Sequence, residues 1–406
     1  MSLQLPFAHL RVLELASVLA GPQVGQFFSE LGAEVLKVES PAGDVTRTWK
    51  TSAETAVSQV AAATAVSAYF AASNWGKTSL VLNLTTAAGQ ATLHQLAAQA
   101  DIVLASYKPG DAEKLHADYA TLTQRNPRLI YGHLTGYGPD HARAGYDAVL
   151  QAEAGYMHLN AAGPGQPPQK MPVAMVDLLA AHQLKEGLLT ALFQRERTGR
   201  GALVQVSLLD SALASLVNQA ATYLATGHDP QPLGSGHPSI VPYGTVYRAA
   251  TGRQLVLAVG SDAQFRQLCA ALGQADWTRD ARFVTNVARV AHRAALESLL
   301  AARIATVDGD ALLAELARRA VPAGAVRSVG EALAQPSAQA MLLPAAAGIG
   351  AGLRTVAFRS STWPVVARLS APPALGVAAA IGAGTVSAGP IETAGGVGDV
   401  PTPVPG

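Results

Sequence analysis

Two stretches of the 406-residue chain combine reactive side chains with the backbone features that chemistry requires. Asp177 stands at the predicted start of a long helix, where the unpaired N–H groups of the first turn favour a carboxylate. From position alone, Asp177 is better explained as the helix N-cap than as a reactive group. The second stretch is a glycine- and proline-rich segment with Gly234, Gly236 and His237, which is typical of a linker or of a functional loop.

Several catalytic and nucleotide-binding motifs are incomplete or missing. Gly76-Lys77-Thr78 matches the end of a phosphate-binding loop, but Ala71 stands where that loop needs its first glycine. No Gly-x-Gly-x-x-Gly follows the first predicted strand, and neither a Gly-x-Ser-x-Gly nor a His-Glu-x-x-His motif occurs. These local motifs alone therefore indicate only a soluble α/β enzyme.

The composition excludes several classes of protein. The chain is 49% hydrophobic and 14% charged, with a formal net charge of +1, which excludes intrinsic disorder and broad binding to nucleic acid or anionic membranes. The lone cysteine, Cys269, lies in an apolar helical pattern and is predicted to be a buried structural thiol. Neither metal-ligand spacing, nor an export signal, nor a membrane-spanning segment is evident. We therefore expect a cytoplasmic protein with no metal.

Strand-like and helix-like segments alternate through the first half of the chain, which predicts βαβ units and an α/β fold with a mainly parallel sheet. The predicted strands there are Arg11–Leu15, Ala33–Glu39, Ser79–Leu84, Asp101–Ala105, Arg128–Leu134 and Ala202–Val206. The main predicted helices are Thr86–Ala98, Ala112–Gln124, Leu178–Arg197 and Leu208–Leu224. Later strands at Gly244–Arg248 and Gln254–Val259 predict a smaller α/β unit.

The same pattern divides the chain into three segments. Residues 1–226 are predicted to form the first part of a large domain, and residues 227–328 a small domain with its linkers. Residues 329–406 are predicted to return to the large domain and to end in a low-complexity tail rich in Ala, Gly and Pro.

Short blocks between about residues 8 and 345 carry a resemblance that no single motif provides. They are Leu19–Pro22, Leu31–Glu39, Gly43–Asp44 with Arg47, Asn74 with Lys77–Ser79, Asn126–Ile130, Thr135–Gly138, Gly145–Asp147, Val176–Asp177, Arg197–Gly201, and Asp280–Phe283 with Asn286. In this order they resemble the family III CoA-transferases, which include formyl-CoA:oxalate CoA-transferase and the related α-methylacyl-CoA racemases.

The resemblance implies a fold and a reaction. It implies a large Rossmann-like domain and a small α/β domain, in two chains that interlock as a homodimer. The family's catalytic aspartate matches Asp177, which would attack an acyl-CoA thioester, form a mixed anhydride and then carry CoA as an aspartyl thioester. The partners implied are acyl-CoA and small carboxylates, and CoA is a substrate, with no tightly bound cofactor.

Further site residues follow from the resemblance. The loop with Gly234, Gly236 and His237 takes the place of a glycine-rich active-site lid, and its His-Pro-Ser-Ile-x-Pro-Tyr run resembles transferases that use succinyl-CoA and small dicarboxylates. The expected CoA contacts are Ala20, Asn74, Lys77, Ser106, Tyr107, Lys114, Tyr137 and Tyr146.

Two alternatives remain open. In the racemases a histidine takes the place of Tyr146 and pairs with the aspartate, and a tyrosine is a poor substitute in proton transfer near neutral pH. His182 lies five residues after Asp177 and is predicted to lie on a different helix face. A non-catalytic acyl-CoA binding protein with the same fold would not need Asp177 together with the Gly234–Gly236 loop. Transferase is therefore the preferred interpretation.

Overall fold

The computed structural model describes residues 5–58, 66–346, 349–364 and 369–376, so most of the predicted low-complexity tail lies outside the described residues. These residues form two compact units. The larger contains the chain up to Ala154, Val173–Leu216 and the segment from Gln339 onward. The smaller contains Gly155–Pro172 and Val217–Ala338. The smaller unit thus includes two segments that the sequence analysis assigned to the large domain, residues 155–172 and 217–226.

A six-stranded parallel sheet forms the centre of the larger unit. Its strands are β1 (Arg11–Glu14), β2 (Glu34–Glu39), β3 (Thr78–Val81), β4 (Ile102–Ala105), β5 (Ile130–Thr135) and β6 (Leu203–Ser207). They are ordered β3-β2-β1-β4-β5-β6, the order of a Rossmann sheet, and every neighbouring pair is parallel. Strand β4 is buried along its whole length, as expected where helices cover both faces. The α/β prediction is confirmed.

The helices of the described residues are named here in chain order. They are α1 (Ala20–Glu30), α2 (Ser52–Ser58), α3 (Ala68–Ala71), α4 (Ala87–Ala97), α5 (Asp111–Lys114), α6 (Tyr119–Thr123), α7 (Asp147–Glu153), α8 (Tyr156–Leu159), α9 (Met175–Thr198), α10 (Leu208–Ala214), α11 (Val217–Thr226), α12 (Asp262–Ala271), α13 (Asn286–Ala291), α14 (Arg293–Ile304), α15 (Gly309–Arg318) and α16 (Val329–Leu333).

Two predicted helices are each divided in two. The helix predicted over residues 112–124 is α5 and α6, separated by His116 with a φ of 50°. The helix predicted over residues 208–224 is two helices, α10 and α11. Helix α11 begins at Val217, which has a φ of 42°. Both residues adopt a left-handed backbone, which a right-handed helix does not accommodate.

Helix α9 begins earlier than predicted. Ala174, not Asp177, occupies the N-cap, and Asp177 lies in the first turn, so the prediction of an Asp177 N-cap is wrong. Gly199, with a φ of 71°, ends the helix as expected. Leu184 and Leu188 pack against Gly132 of β5, where a Cβ would lie 3.1–3.2 Å from their methyl groups. The helix is thereby fixed against the sheet.

The smaller unit has its own antiparallel sheet and core. Strands β7 (Tyr243–Arg248), β8 (Gln254–Ala258) and β9 (Ala323–Ala325) pair in that order. Cys269 lies fully buried in the core formed with α12, and burial raises the pKa of its thiol to about 11. The prediction of a buried structural thiol is confirmed.

In the larger unit, β10 (Leu342–Ala346) and β11 (Gly350–Leu353) form an antiparallel pair that the sequence analysis did not predict.

Candidate active site

A cleft of about 270 Å³ opens in the larger unit at the carboxyl ends of its strands. The loops after β1, β4, β5 and β6 contribute to its wall, at the point where the strand order reverses. Ligands bind at this position in open α/β sheets. The lining residues are Ser17, Val18, Leu19, Ala20, Ser106, Tyr107, Lys108, Pro109, Leu134, Thr135, Gly136, Arg143, Ala144, Gly145, Tyr146, Asp147, Asp177 and Leu208.

Asp177 is the most chemically distinctive residue of this cleft. Its side chain is buried, and burial together with the nearby negative charge of Asp147 raises the pKa of the Asp177 carboxyl to about 7. Burial and Asp147 are the causes of this pKa shift, and no hydrogen bond from a described residue is among them. A poorly solvated carboxylate of this kind is well suited to act as a nucleophile or as an acid/base group near neutral pH.

Asp147 connects Asp177 to the first turn of α7. Its Oδ1 accepts hydrogen bonds from the backbone N–H groups of Val176 (2.8 Å) and Asp177 (3.4 Å), and its Oδ2 accepts one from Gln151 (2.7 Å). Asp147 therefore caps α9 from outside the helix, which explains why α9 begins before Asp177. The sequence analysis did not assign this role, although Asp147 lies in the Gly145–Asp147 block.

The loop between β1 and α1 forms one wall of the cleft. Its Val18 has a φ of 70°, and the Val18 N–H donates to Oδ2 of Asp44 at 3.2 Å. The Ser17 N–H donates to the Ser106 hydroxyl at 3.1 Å, which joins this loop to the loop after β4. At Gly21 a Cβ would lie 2.3 Å from that of Ala16, so only glycine permits this close turn.

Several residues that the sequence analysis selected meet in this cleft. Ala20, Ser106, Tyr107 and Tyr146 line it together with Asp177. Burial raises the pKa of Tyr107 to about 12, so its hydroxyl stays neutral. The contacts of these residues with CoA remain a prediction.

Lys77 and Asn74 are buried and do not line the cleft, and their contact with CoA stays a prediction. The Lys77 ammonium lies 2.7 Å from a carboxylate oxygen of Glu14 and donates to Asn74 Oδ1 at 3.1 Å and Pro22 O at 2.9 Å. Burial, opposed by Glu14, lowers the pKa of Lys77 to about 8. Its charge balances a carboxylate in the core.

Other cations are better placed. Lys108 and Arg143 line the cleft, and the Arg143 guanidinium lies 4.3 Å from the centre of the Tyr137 ring. Tyr137 therefore contacts a residue that lines the cleft, and its own contact with CoA stays a prediction. Lys114 is exposed and pairs with Asp111 at 2.9 Å outside the cleft wall, so its contact with CoA stays a prediction.

The glycine-rich loop belongs to the smaller unit and is held there by side chains of α13 and α14. Arg293 donates to the backbone oxygens of His237 (2.6 Å) and Pro238 (3.2 Å), and Asn286 donates to that of Ser239 (2.8 Å). The Ser239 N–H donates to Nδ1 of His237 at 3.1 Å, which in the neutral imidazole leaves the proton on Nε2.

The loop borders an open depression of about 490 Å³ within its unit. Gly236, His237, Ser239 and Tyr243 line this depression together with residues of α11. Gly234 adopts a φ of 59°, which favours glycine at that position. The roles of Gly234, Gly236 and His237 in the reaction remain predictions.

The described residues offer neither a metal-binding cluster nor a membrane-spanning helix. They contain no cluster of His, Cys, Asp and Glu arranged to hold a metal ion. The helices in the same part of the chain are each too short or too polar to cross a bilayer.

The comparisons with known proteins agree with one another. Residues 7–378 match CoA-transferase family III. The chain is 39% identical over 339 residues to the succinate–glutarate CoA-transferase of Agrobacterium fabrum, covering 82% of this chain and 83% of that protein. It is 33% identical over 334 residues to the succinyl-CoA:glutarate CoA-transferase of Mus musculus, covering 81% and 74%.

Solved structures show the same relationship. A CAIB/BAIF family protein from Brucella suis is 39% identical with a TM-score of 0.78, over 92% of this chain and 97% of that one. Rv3272 from Mycobacterium tuberculosis is 30% identical with a TM-score of 0.79, over 91% and 97%. The strand order, the cleft with Asp177 and these matches lead to one conclusion: this chain belongs to CoA-transferase family III and is an enzyme of that family.

Proposed function

We propose that this enzyme moves CoA from succinyl-CoA to a small carboxylic or dicarboxylic acid, with Asp177 as the covalent carrier. The observation that supports this most directly is the buried Asp177 carboxyl, whose pKa is raised to about 7 by burial and by Asp147. The relatives' names favour succinyl-CoA as donor and glutarate as the first acceptor to test.

The proposed reaction conserves the thioester energy in four exchanges. An oxygen of Asp177 attacks the thioester carbonyl, the C–S bond breaks, and a mixed anhydride and CoA thiolate result. The thiolate then attacks the aspartyl carbonyl of the anhydride, which releases the donor acid and leaves an aspartyl-CoA thioester. The acceptor carboxylate attacks this thioester, which releases CoA thiolate and gives a second mixed anhydride. The thiolate then attacks the acceptor's carbonyl, which gives the new acyl-CoA and frees the Asp177 carboxylate.

The intermediates survive only where water is excluded. The burial of Asp177 supports this at the cleft. We further propose, from the family resemblance, that the loop with Gly234, Gly236 and His237 helps to shield the intermediates from water. Glycines allow backbone N–H groups to approach an oxyanion closely, and the loop's attachment through Arg293 and Asn286 keeps it in one conformation.

The racemase alternative requires a second acid/base group opposite Asp177. In the described structure Tyr146 lines the cleft and is 58% exposed, and the cleft wall contains no histidine. His182 is exposed on α9, away from the buried side of the helix. This supports transfer over racemisation. A binding protein without catalysis would gain nothing from burying Asp177, because burial destabilises the charged form.

We also propose that the enzyme is an interlocked homodimer and works in the cytoplasm. Large apolar side chains such as Phe193 (69% exposed) and Leu224 (80% exposed) support an association that covers them. Light scattering coupled to size-exclusion chromatography should give a mass of two chains, and a mass of one chain would contradict the dimer.

A CoA-exchange screen tests the proposed function. Purified enzyme is incubated with succinyl-CoA and a panel of carboxylic acids that includes glutarate, and the CoA esters are identified by mass spectrometry. We expect succinate and a new acyl-CoA in equal amounts. Asp177→Ala should remove this exchange, whereas Asp276→Asn, an exposed control, should keep it. Exchange of an α-deuteron into a 2-methylacyl-CoA without CoA transfer would instead support the racemase.

A further inference from the structure

Four charged side chains form a buried network beneath the β1–α1 loop. Glu14 lies between two lysines, 3.0 Å from the Lys37 ammonium and 2.7 Å from that of Lys77. Asp44 lies 3.0 Å from the Lys37 ammonium. The four side chains are at most 1% exposed. Two negative and two positive charges balance, so the network can persist in the core, and it adds no net charge to the cleft.

Asp44 connects this network to the cleft. Its Oδ2 accepts the N–H of Val18 at 3.2 Å as well as the ion pair with Lys37. Its Oδ1 accepts the N–H and the hydroxyl of Thr46 at 3.0 and 2.7 Å. Burial disfavours the charged carboxyl, but Lys37 and the Thr46 hydrogen bonds outweigh burial and hold the pKa of Asp44 below its ordinary value. Asp44 is therefore a fixed acceptor at neutral pH.

Val18 is the residue that needs such a fixed acceptor. It is a β-branched residue with a φ of 70°, a conformation that is strained for any side chain and most strained for a branched one. Strained residues of this kind persist only where their surroundings hold them, and they occur often at functional sites. Val18 lines the cleft between Ser17 and Leu19.

We propose that Asp44 is a positioning residue for the reaction. Through its bond to the Val18 N–H it holds the β1–α1 loop in a strained conformation, and so sets the shape of the cleft wall that faces Asp177. The role rests on the function proposed above, because it matters only if a thioester lies in this cleft. Asp44 itself touches no substrate and acts through Val18.

Asp44→Ala tests this role by removing both carboxylate oxygens. The Val18 N–H and the Lys37 ammonium then lose their common acceptor, which an asparagine would keep by turning its amide oxygen toward them. We expect kcat per active site to fall about 10- to 100-fold while KM for succinyl-CoA changes less, because misplacement of a reacting group lowers kcat. Active sites are counted by the aspartyl-CoA formed in a single turnover.

Two further variants separate positioning from general stability. Thr46→Val removes a hydrogen bond to the other oxygen of the same carboxylate, and it should leave kcat near the wild-type value even where it lowers the melting temperature. Adding Val18→Gly to Asp44→Ala should restore kcat about fivefold, because glycine adopts a positive φ without the strain of a side chain.

The outcomes are distinct. An unchanged kcat in Asp44→Ala, or equal losses of kcat in Asp44→Ala and Thr46→Val with no recovery on adding Val18→Gly, would overturn the positioning role. If Asp44→Ala does not fold, amide exchange of the wild-type enzyme decides, since the Val18 N–H should be protected, and free exchange there would overturn the proposal. A wild-type enzyme that transfers no CoA would contradict the proposed function instead.

Discussion

At the scale of single residues, two opposite influences act on Asp177. The first turn of α9 favours a carboxylate, whereas burial and the charge of Asp147 disfavour it, and the pKa of about 7 shows that burial and Asp147 outweigh the helix. The family resemblance of the sequence was enough to select Asp177 as the candidate carrier. It did not select Asp147, because the capping contact joins residues 29 positions apart along the chain and leaves no local pattern.

Asp177→Asn should therefore stabilise the protein in a pH-dependent manner. Between about pH 4 and pH 7 the folded chain holds a proton that the unfolded chain has released, so stability of the wild type falls as the pH rises through this window. The asparagine avoids this loss. We expect a gain on the order of 2–4 kcal/mol at pH 8 and a smaller gain at pH 5. Thermal unfolding measures both, and an equal gain at the two pH values would contradict the raised pKa.

Asp147→Asn should lower the pKa of Asp177 while keeping an acceptor for the first turn of α9. Only the ionised Asp177 attacks a thioester, so kcat/KM of the wild type should rise with pH through about 7. In the variant this rise should occur at a lower pH, because one negative charge is gone. The pH profile of kcat/KM is the measurement, and an unshifted profile would mean that Asp147 acts only as a cap.

At the scale of elements, the six strands of the sheet were predicted within a few residues, since their apolar runs are short and bounded by turns. The predictions failed where a residue other than glycine takes a positive φ. His116 divides a predicted helix into α5 and α6, and Val217 divides another into α10 and α11. Helix propensity does not encode such interruptions.

The loop of Gly234–Ser239 depends on α13 and α14 for its position, so Arg293→Lys should loosen it. A lysine keeps the charge but cannot donate to both His237 O and Pro238 O with a planar fork. If the loop excludes water as proposed, hydrolysis of succinyl-CoA relative to transfer should rise several-fold, by about 3–10. Arg282→Lys, which alters an exposed pair with Asp280, is the matched control. An unchanged ratio would contradict a lid role.

At the scale of the whole molecule, a net charge of +1 means that no strong overall field attracts the polyanionic substrate. The composition predicted this, but it could not show which cations lie at the cleft. In the structure Lys77 pairs with Glu14 in the core, whereas Lys108 and Arg143 line the cleft. The division of the smaller unit between residues 155–172 and 217–338 was also beyond prediction, because no composition change marks it.

Lys108→Met should therefore raise KM for succinyl-CoA about three- to tenfold with little change in kcat, as expected for the loss of one exposed phosphate contact. Lys50→Met serves as the control, because Lys50 does not line the cleft. Steady-state kinetics at low salt provide the test. Equal effects of the two substitutions would show that the cleft cation has no specific role.

The account rests on Asp177 as the carrier of CoA, and one measurement tests this directly. The enzyme is incubated with succinyl-CoA without an acceptor, quenched in acid, digested and examined by peptide mass spectrometry. We predict one CoA thioester per active chain, on the peptide that contains Asp177, and its loss when glutarate is added before the quench. Turnover with no adduct at Asp177, or with an adduct at another residue, would contradict the account.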